Sequence, residues 1–187
     1  MGQCYAVSLR YKIKDEKKLV KALNRFIDEH EGKDCRFNLD MWGEGFDRSK
    51  FDNLVRVFFS NAGCYNQVHW GTLVKAPEGL TIERCKEEKI PYYIKYETQY
   101  DTISKKYKQH DVLWIKAPKD SEGFSWLGSG FDASYGWESV MEKAFEVMAK
   151  YLEDDSEMDL DMDECARDFR VVGGKVVEDA ESLDDME

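Results

Sequence analysis

Three prolines and three histidines are all that 187 residues contain of either, and the five cysteines never fall in a C-x-x-C arrangement. Each scarcity excludes something. Pro77, Pro91 and Pro118 sit at segment edges, where a missing backbone donor is tolerated, so no proline-rich linker divides the chain. His30, His69 and His110 lie in different segments, which leaves imidazole chemistry little local support. Cys4, Cys35, Cys64, Cys85 and Cys165 are odd in number and widely spread. That pattern indicates neither a disulfide framework nor a zinc site, and a reducing, cytoplasmic setting is expected. No run of 18 apolar residues exists, and the N-terminus lacks a charged-then-apolar build, so neither a membrane span nor secretion is expected. Met1-Gly2-Gln3-Cys4 does not complete an acylation signal, because Ala6 stands where a hydroxyl residue is required. No repeat of fixed period is visible.

What is present is a foldable composition, 42% hydrophobic and 13% aromatic, together with an uneven charge. Residues 153–187 hold 15 of the 38 acids and 3 of the 27 bases, whereas residues 1–152 hold 23 acids and 24 bases. The net charge of -11 is therefore a C-terminal property. Acidity confined to one part of a protein selects basic partners and repels nucleic acid and anionic membranes.

Tyr5, Val7, Leu9, Tyr11 and Ile13 alternate with Ala6, Ser8, Arg10, Lys12 and Lys14, which predicts a half-buried strand with a basic outer face. Asp15 caps a predicted helix built on Leu19, Val20, Leu23, Phe26 and Ile27, with Gly32 as its stop. A strand fits 36–42, and Asp47 is the expected cap of a helix built on Phe51, Leu54, Val55, Phe58 and Phe59. Short strands are predicted near 66–75, 92–100, 110–116 and 124–130. Ser134 then caps the strongest helical pattern, from Trp137 to Leu152. Met158, Leu160 and Met162 alternate with acids over 157–163, and Gly173-Gly174 between β-branched residues signals a hairpin over 171–177. The fold class is α+β: a mainly antiparallel or mixed sheet with about three helices packed on it. It is read as one two-layer domain over 1–178, with Pro77-Glu78-Gly79 marking where it would subdivide, and a short acidic tail over 179–187.

The acidic region offers a partner-binding surface. Glu157, Asp159, Asp161 and Asp163 present one charge about every 6.8 Å along a strand. Glu138, Glu142 and Glu146 form an i,i+4 stripe on the preceding helix, with Glu153, Asp154 and Asp155 between. If the two faces are coplanar, they make a two-rail acidic surface resembling a nucleic-acid mimic. An intramolecular reading competes with it: Arg10, Lys12 and Lys14 match the acidic strand in sign and spacing, and would neutralise it were the two strands neighbours. The same acids do not make an EF-hand, since 154–164 contains no glycine, and neither metal nor cofactor is expected.

Three other motifs compete. Gly128-Ser129-Gly130-Phe131-Asp132-Ala133 matches G-x-G-x-x-A, although Asp132 would face a pyrophosphate and no repeated βαβ units surround it, so a tight strand-to-helix turn is the plainer reading. Cys64 and His69, with Asn61 or Asn66 nearby, carry the residue types of a thiol hydrolase, as a buried cysteine and a strand histidine also would. Tyr92, Tyr93, Tyr96, Tyr100, Tyr107 and Trp114 interleave with Lys95, Lys105, Lys106, Lys108 and Lys116, the make-up of a single-stranded nucleic-acid platform or of ordinary aromatic strands.

The stretch Gly130-Phe131-Asp132-Ala133-Ser134-Tyr135-Gly136-Trp137-Glu138, followed by Tyr151-Leu152-Glu153-Asp154 and Gly173-Gly174-Lys175-Val176-Val177, resembles small acidic proteins of bacterial phages and integrative mobile elements. The resemblance covers the last third of the chain and implies a setting without assigning any functional residue. The expected function is a non-enzymatic, acidic protein-binding module. In its sharper form it is an inhibitor occupying the basic groove of a nucleic-acid-binding host defence protein, with no direct nucleic-acid or membrane partner. A small enzyme at Cys64/His69 or Gly128/Gly130 is the alternative, and the Tyr/Lys platform a further one.

Overall fold

The computed structural model describes residues 2–30, 46–61 and 66–179. Strand β1 (Gly2–Tyr11) buries Tyr5, Val7, Leu9 and Tyr11 and turns Cys4 and Ala6 outward, as alternation dictates. Helix α1 (Glu16–His30) buries Leu19, Leu23, Phe26 and Ile27, and Asp15 caps it by accepting from the Lys18 amide at 3.1 Å. The expected stop at Gly32 and the strand at 36–42 lie outside the described residues. Helix α2 (Phe51–Phe59) is N-capped by Lys50 with no side-chain bond, not by Asp47. Asp47 instead accepts from the Ser49 amide at 2.9 Å, a local turn that competes with capping.

The segment 66–75 is two strands, not one. Strands β2 (Asn66–Trp70) and β3 (Thr72–Lys75) join different sheets, and Gly71 between them has φ +97°. A Cβ at Gly71 would stand 2.7 Å from the Ala117 carbonyl oxygen, so this crossing requires glycine. A helix not foreseen, α3 (Ile82–Glu87), follows, capped by Thr81 Oγ1, which accepts from the Arg84 amide at 3.3 Å. Strands β4 (Tyr92–Asp101) and β5 (Lys106–Ala117) form a long hairpin. Strand β6 (Ser125–Ser134) continues past the predicted end at 130, so Ser134 closes a strand and caps no helix. Helix α4 (Trp137–Ala149) has Gly136, at φ +89°, as its N-cap. The remaining strands are β7 (Glu157–Met162), β8 (Ala166–Val172) and β9 (Lys175–Asp179), the last two joined by Gly173 and Gly174, both at positive φ as a tight hairpin turn requires.

The chain is α+β, with four helices and nine strands among the described residues. A six-stranded antiparallel sheet has the order β2-β6-β1-β7-β8-β9, and a three-stranded one the order β3-β5-β4. One face of the large sheet carries α1, α2 and α4. Leu9, Leu127, Met158 and Leu160 from the sheet join Leu23, Phe58, Met141 and Phe145 from the helices in one core. Each such side chain contributes about 1.5–3 kcal/mol when fully buried. The Trp137 indole N–H donates to the Phe58 carbonyl at 2.9 Å, which satisfies a buried donor and ties α4 to the end of α2. The opposite face carries Cys4, Ala6, Ser8 and Arg10 of β1, the acids of β7, and Gly128, Gly130 and Asp132 of β6, with the Trp126 ring lying over Gly128.

Candidate functional site

Strand register determines what that outer face presents. Asp159 of β7 stands opposite Ser8 of β1 on one side and Asp168 of β8 on the other, and Asp168 stands opposite Asp179 of β9. Three aspartates thus form a row across three strands that lie about 4.8 Å apart. The next row brings Asp161 beside Ala6, and beyond it Asp163 accepts from the Cys4 amide at 3.4 Å. On the far side of β1, Asp132 of β6 accepts from the Cys4 thiol at 2.9 Å. Ala6 and Gly130 lie between Asp132 and Asp161 on this face, and farther along the strands the Trp126 ring covers Gly128.

Like charges placed directly opposite are destabilising, and Asp159 records it. Burial first, then the charges of Asp168, Glu157 and Asp161, push its pKa above the ordinary carboxylate value. Among the described residues, Glu157, Asp159, Asp161, Asp163 and Asp168 have no ion-pair partner, whereas Asp179 pairs with Arg170 at 3.0 Å.

Strands β1 and β7 are neighbours, yet the basic strand does not neutralise the acidic one. The antiparallel register sets Arg10 opposite Glu157 and leaves Lys12 and Lys14 beyond the end of β7. Arg10 turns to the 120–122 segment, donating to Asp120 at 2.7 Å and pairing with Glu122. Burial opposes the charges of both Arg10 and Asp120; their mutual attraction prevails, holding the guanidinium pKa up and the carboxyl pKa down. Lys14 approaches Glu153 at 3.9 Å, and Lys12 reaches the Glu122 carbonyl at 3.4 Å.

The helical acids do not share this face. Helix α4 packs on the inner side of the sheet, so its stripe and the β7 acids are not coplanar. Glu138 accepts from the Tyr5 hydroxyl at 2.7 Å, and Glu142 pairs with Arg167; Glu146 is exposed. Burial and Glu138 together push the Tyr5 pKa up to about 12. Asp154 accepts from the Gly173 amide at 3.0 Å, and the Asp155 carbonyl accepts from Arg10 at 3.3 Å. The two-rail arrangement reduces to one acidic face centred on β7. Asp132 and Asp168, absent from the sequence-derived set, belong to it, and only a correct strand order reveals them.

The remaining motifs are dispersed. Gly128 to Ala133 is neither a phosphate loop nor a turn, because all six residues lie inside β6, paired with Gln3 to Ser8 of β1. A Cβ on Gly128 would meet the Trp126 ring at 2.3 Å, so that glycine seats an indole. Cys64 lies outside the described residues. His69 is exposed on β2, where Lys116 Nζ donates to its Nδ1 at 3.5 Å. The β4–β5 hairpin sorts its residues by face. Tyr92, Tyr96, Tyr100 and Tyr107 share one side, while Lys95, Lys106 and Lys108 lie on the other with Tyr93 and Trp114. Lys95 sits over the Trp114 ring at 4.5 Å, Lys75 pairs with Glu97, and Lys108 pairs with Asp101. The interleaving seen in sequence is therefore not an interleaved surface.

Among the described residues, no group of three or more His, Cys, Asp or Glu side chains is placed to hold a metal ion, and no helix is long and apolar enough to cross a membrane. Comparison with models of known protein families gives no match, and no curated protein matches the chain.

Proposed function

We propose that the protein is a non-enzymatic binding module whose outer sheet face, centred on Asp159, Asp161, Asp163 and Asp168, engages a basic surface on another protein. The observation that carries this reading is the directly opposed pair Asp159 and Asp168, which has no ion-pair partner among the described residues and is kept although it works against the stability of the sheet. An array of fixed carboxylates at strand spacing complements a surface that ordinarily receives phosphates. The partner class is therefore a nucleic-acid-binding protein approached through its cationic groove, and the likeness to phage and mobile-element proteins gives such a partner a host-defence setting. Charge complementarity of this kind speeds association and makes it salt-sensitive.

The test is a pull-down from bacterial lysate at stepped salt, comparing the wild-type chain with a variant carrying Asp159→Asn, Asp161→Asn, Asp163→Asn and Asp168→Asn. The expected result is a retained nucleic-acid-binding protein that is released by salt and by competing DNA and is missing from the variant. Retention of the same proteins by the variant overturns the reading.

A further inference from the structure

The small sheet ends at β4 in a strand whose outer edge is unpaired among the described residues. In the order β3-β5-β4, strand β4 meets only β5, in consecutive antiparallel pairs from Tyr92↔Ile115 to Asp101↔Lys106. Every second residue of β4 therefore turns its N–H and C=O outward, and no other described segment bonds to them. The side chains do not shield this edge either: Tyr96 is 69% exposed, and Tyr93, Ile94 and Tyr100 are exposed as well. Strand edges are ordinarily blunted by brevity, proline, a bulge, charge of one sign or a covering segment. Strand β4 is long, unbulged and free of proline, and its interior charges are one of each sign, Lys95 and Glu97. The other edge strand, β3, has only four residues and is joined to β2 of the large sheet through Gly71.

The sequence of β4 selects what fits this edge. A two-fold axis normal to the sheet pairs the strand antiparallel with its own copy and keeps every residue on its own face, so the axis must pass through a residue position. Centred on Lys95 or on Glu97, the pairing sets like charges opposite each other, which is destabilising. Centred on Tyr96, it sets each Lys95 opposite Glu97 of the other copy, and each Tyr92 opposite the other Tyr100, over nearly the whole strand. Moving the centre to Ile94 or Thr98 shortens the pairing. Both charged groups are within reach: Lys95 lies over the Trp114 ring at 4.5 Å and is exposed, and Glu97, paired with Lys75, keeps its carboxylate 44% exposed and able to accept further bonds. Net charge also favours this meeting place. Residues 71–126 hold 10 bases and 9 acids, so this segment adds little to the repulsion between two copies of a chain carrying -11.

We propose that the protein forms a two-fold dimer through β4, the two strands antiparallel and centred on Tyr96, which joins the small sheets into one continuous sheet edged by the short β3 strands. This interface is separate from the acidic sheet face and does not depend on what that face binds.

Sedimentation equilibrium of the full chain, from micromolar to millimolar concentration, tests the assignment, and a monomer–dimer equilibrium is expected. Lys95→Glu and Glu97→Lys, taken singly, each set like charges across the interface and should weaken self-association tenfold or more. Mixed together, the two variants should form a heterodimer, because the mixed pair again sets opposite charges face to face. A chain carrying both changes should dimerise as the wild type does. Damage to the hairpin cannot produce either rescue, since the Lys95–Trp114 and Lys75–Glu97 contacts stay broken in the chains that carry these changes. A chain that is monomeric throughout overturns the proposal, as does assembly beyond a dimer. Self-association that either single variant leaves unchanged overturns it too, and so does a loss that mixing or the double change fails to restore.

Discussion

Asp159 is partly desolvated beside three like charges, Asp168, Glu157 and Asp161, and this has a measurable pH signature. Its pKa is raised in the folded protein, so between the unfolded and folded values the native state binds more protons than the unfolded chain. Stability contributed by this group therefore falls as pH rises through the carboxylate range and stays lowered at neutrality. Asp159→Asn should raise the unfolding free energy measured in urea at pH 7, by about 0.2–1 kcal/mol for each relieved pair, and the gain should vanish near roughly pH 3, where the carboxylate is largely protonated in both states. A gain that is equal at both pH values would refute the electrostatic explanation. Cys4 gives a second signature. Its thiol donates to Asp132, and that bond, with the aspartate charge, raises its pKa although the residue is exposed. Alkylation of Cys4 at pH 8, followed by peptide mass spectrometry, should accelerate in Asp132→Asn, because a larger thiolate fraction reacts.

Strand β7 is the element in which two opposed demands alternate residue by residue. Leu160 is fully buried and Asp161 is exposed one position away. Leu160→Ala should cost about 2–5 kcal/mol, whereas Asp161→Asn should be neutral or slightly stabilising; chemical denaturation of the two variants side by side separates core from surface. That alternation is what made β7 readable in the sequence, and the same holds for β1, α1, α2 and α4, each with a repeated apolar face. Helix α3 had no such face to show: six residues long, it buries only Cys85. The break at Gly71 also escaped, since a glycine between two apolar stretches does not say which sheet each joins. The run Gly128 to Ala133 has turn-like letters, and its extended form is imposed by pairing with β1, a contact more than a hundred residues away in sequence. The acids of the candidate face were visible one strand at a time. Their alignment with Asp168 and Asp132, and the failure of Lys12 and Lys14 to meet them, depend on register, which no local pattern encodes.

At the scale of the whole molecule the net charge of -11 acts against compaction. Raising sodium chloride from about 0.05 M to about 0.5 M should therefore raise the thermal midpoint, because the Debye length contracts and the self-repulsion of the acidic face is screened. A falling midpoint would mean that surface ion pairs such as Arg84–Glu88 outweigh it. The large sheet also has a connectivity of its own. Trp70 closes β2 directly opposite Leu127, and the Gly71 amide donates to the Trp126 carbonyl at 2.9 Å. Residues 71–126, with the whole small sheet, thus depart and return through adjoining positions of one antiparallel pair. In topological terms the small sheet is a guest lodged in what would otherwise be a hairpin loop, a place where a change of length leaves the host strands their alignment.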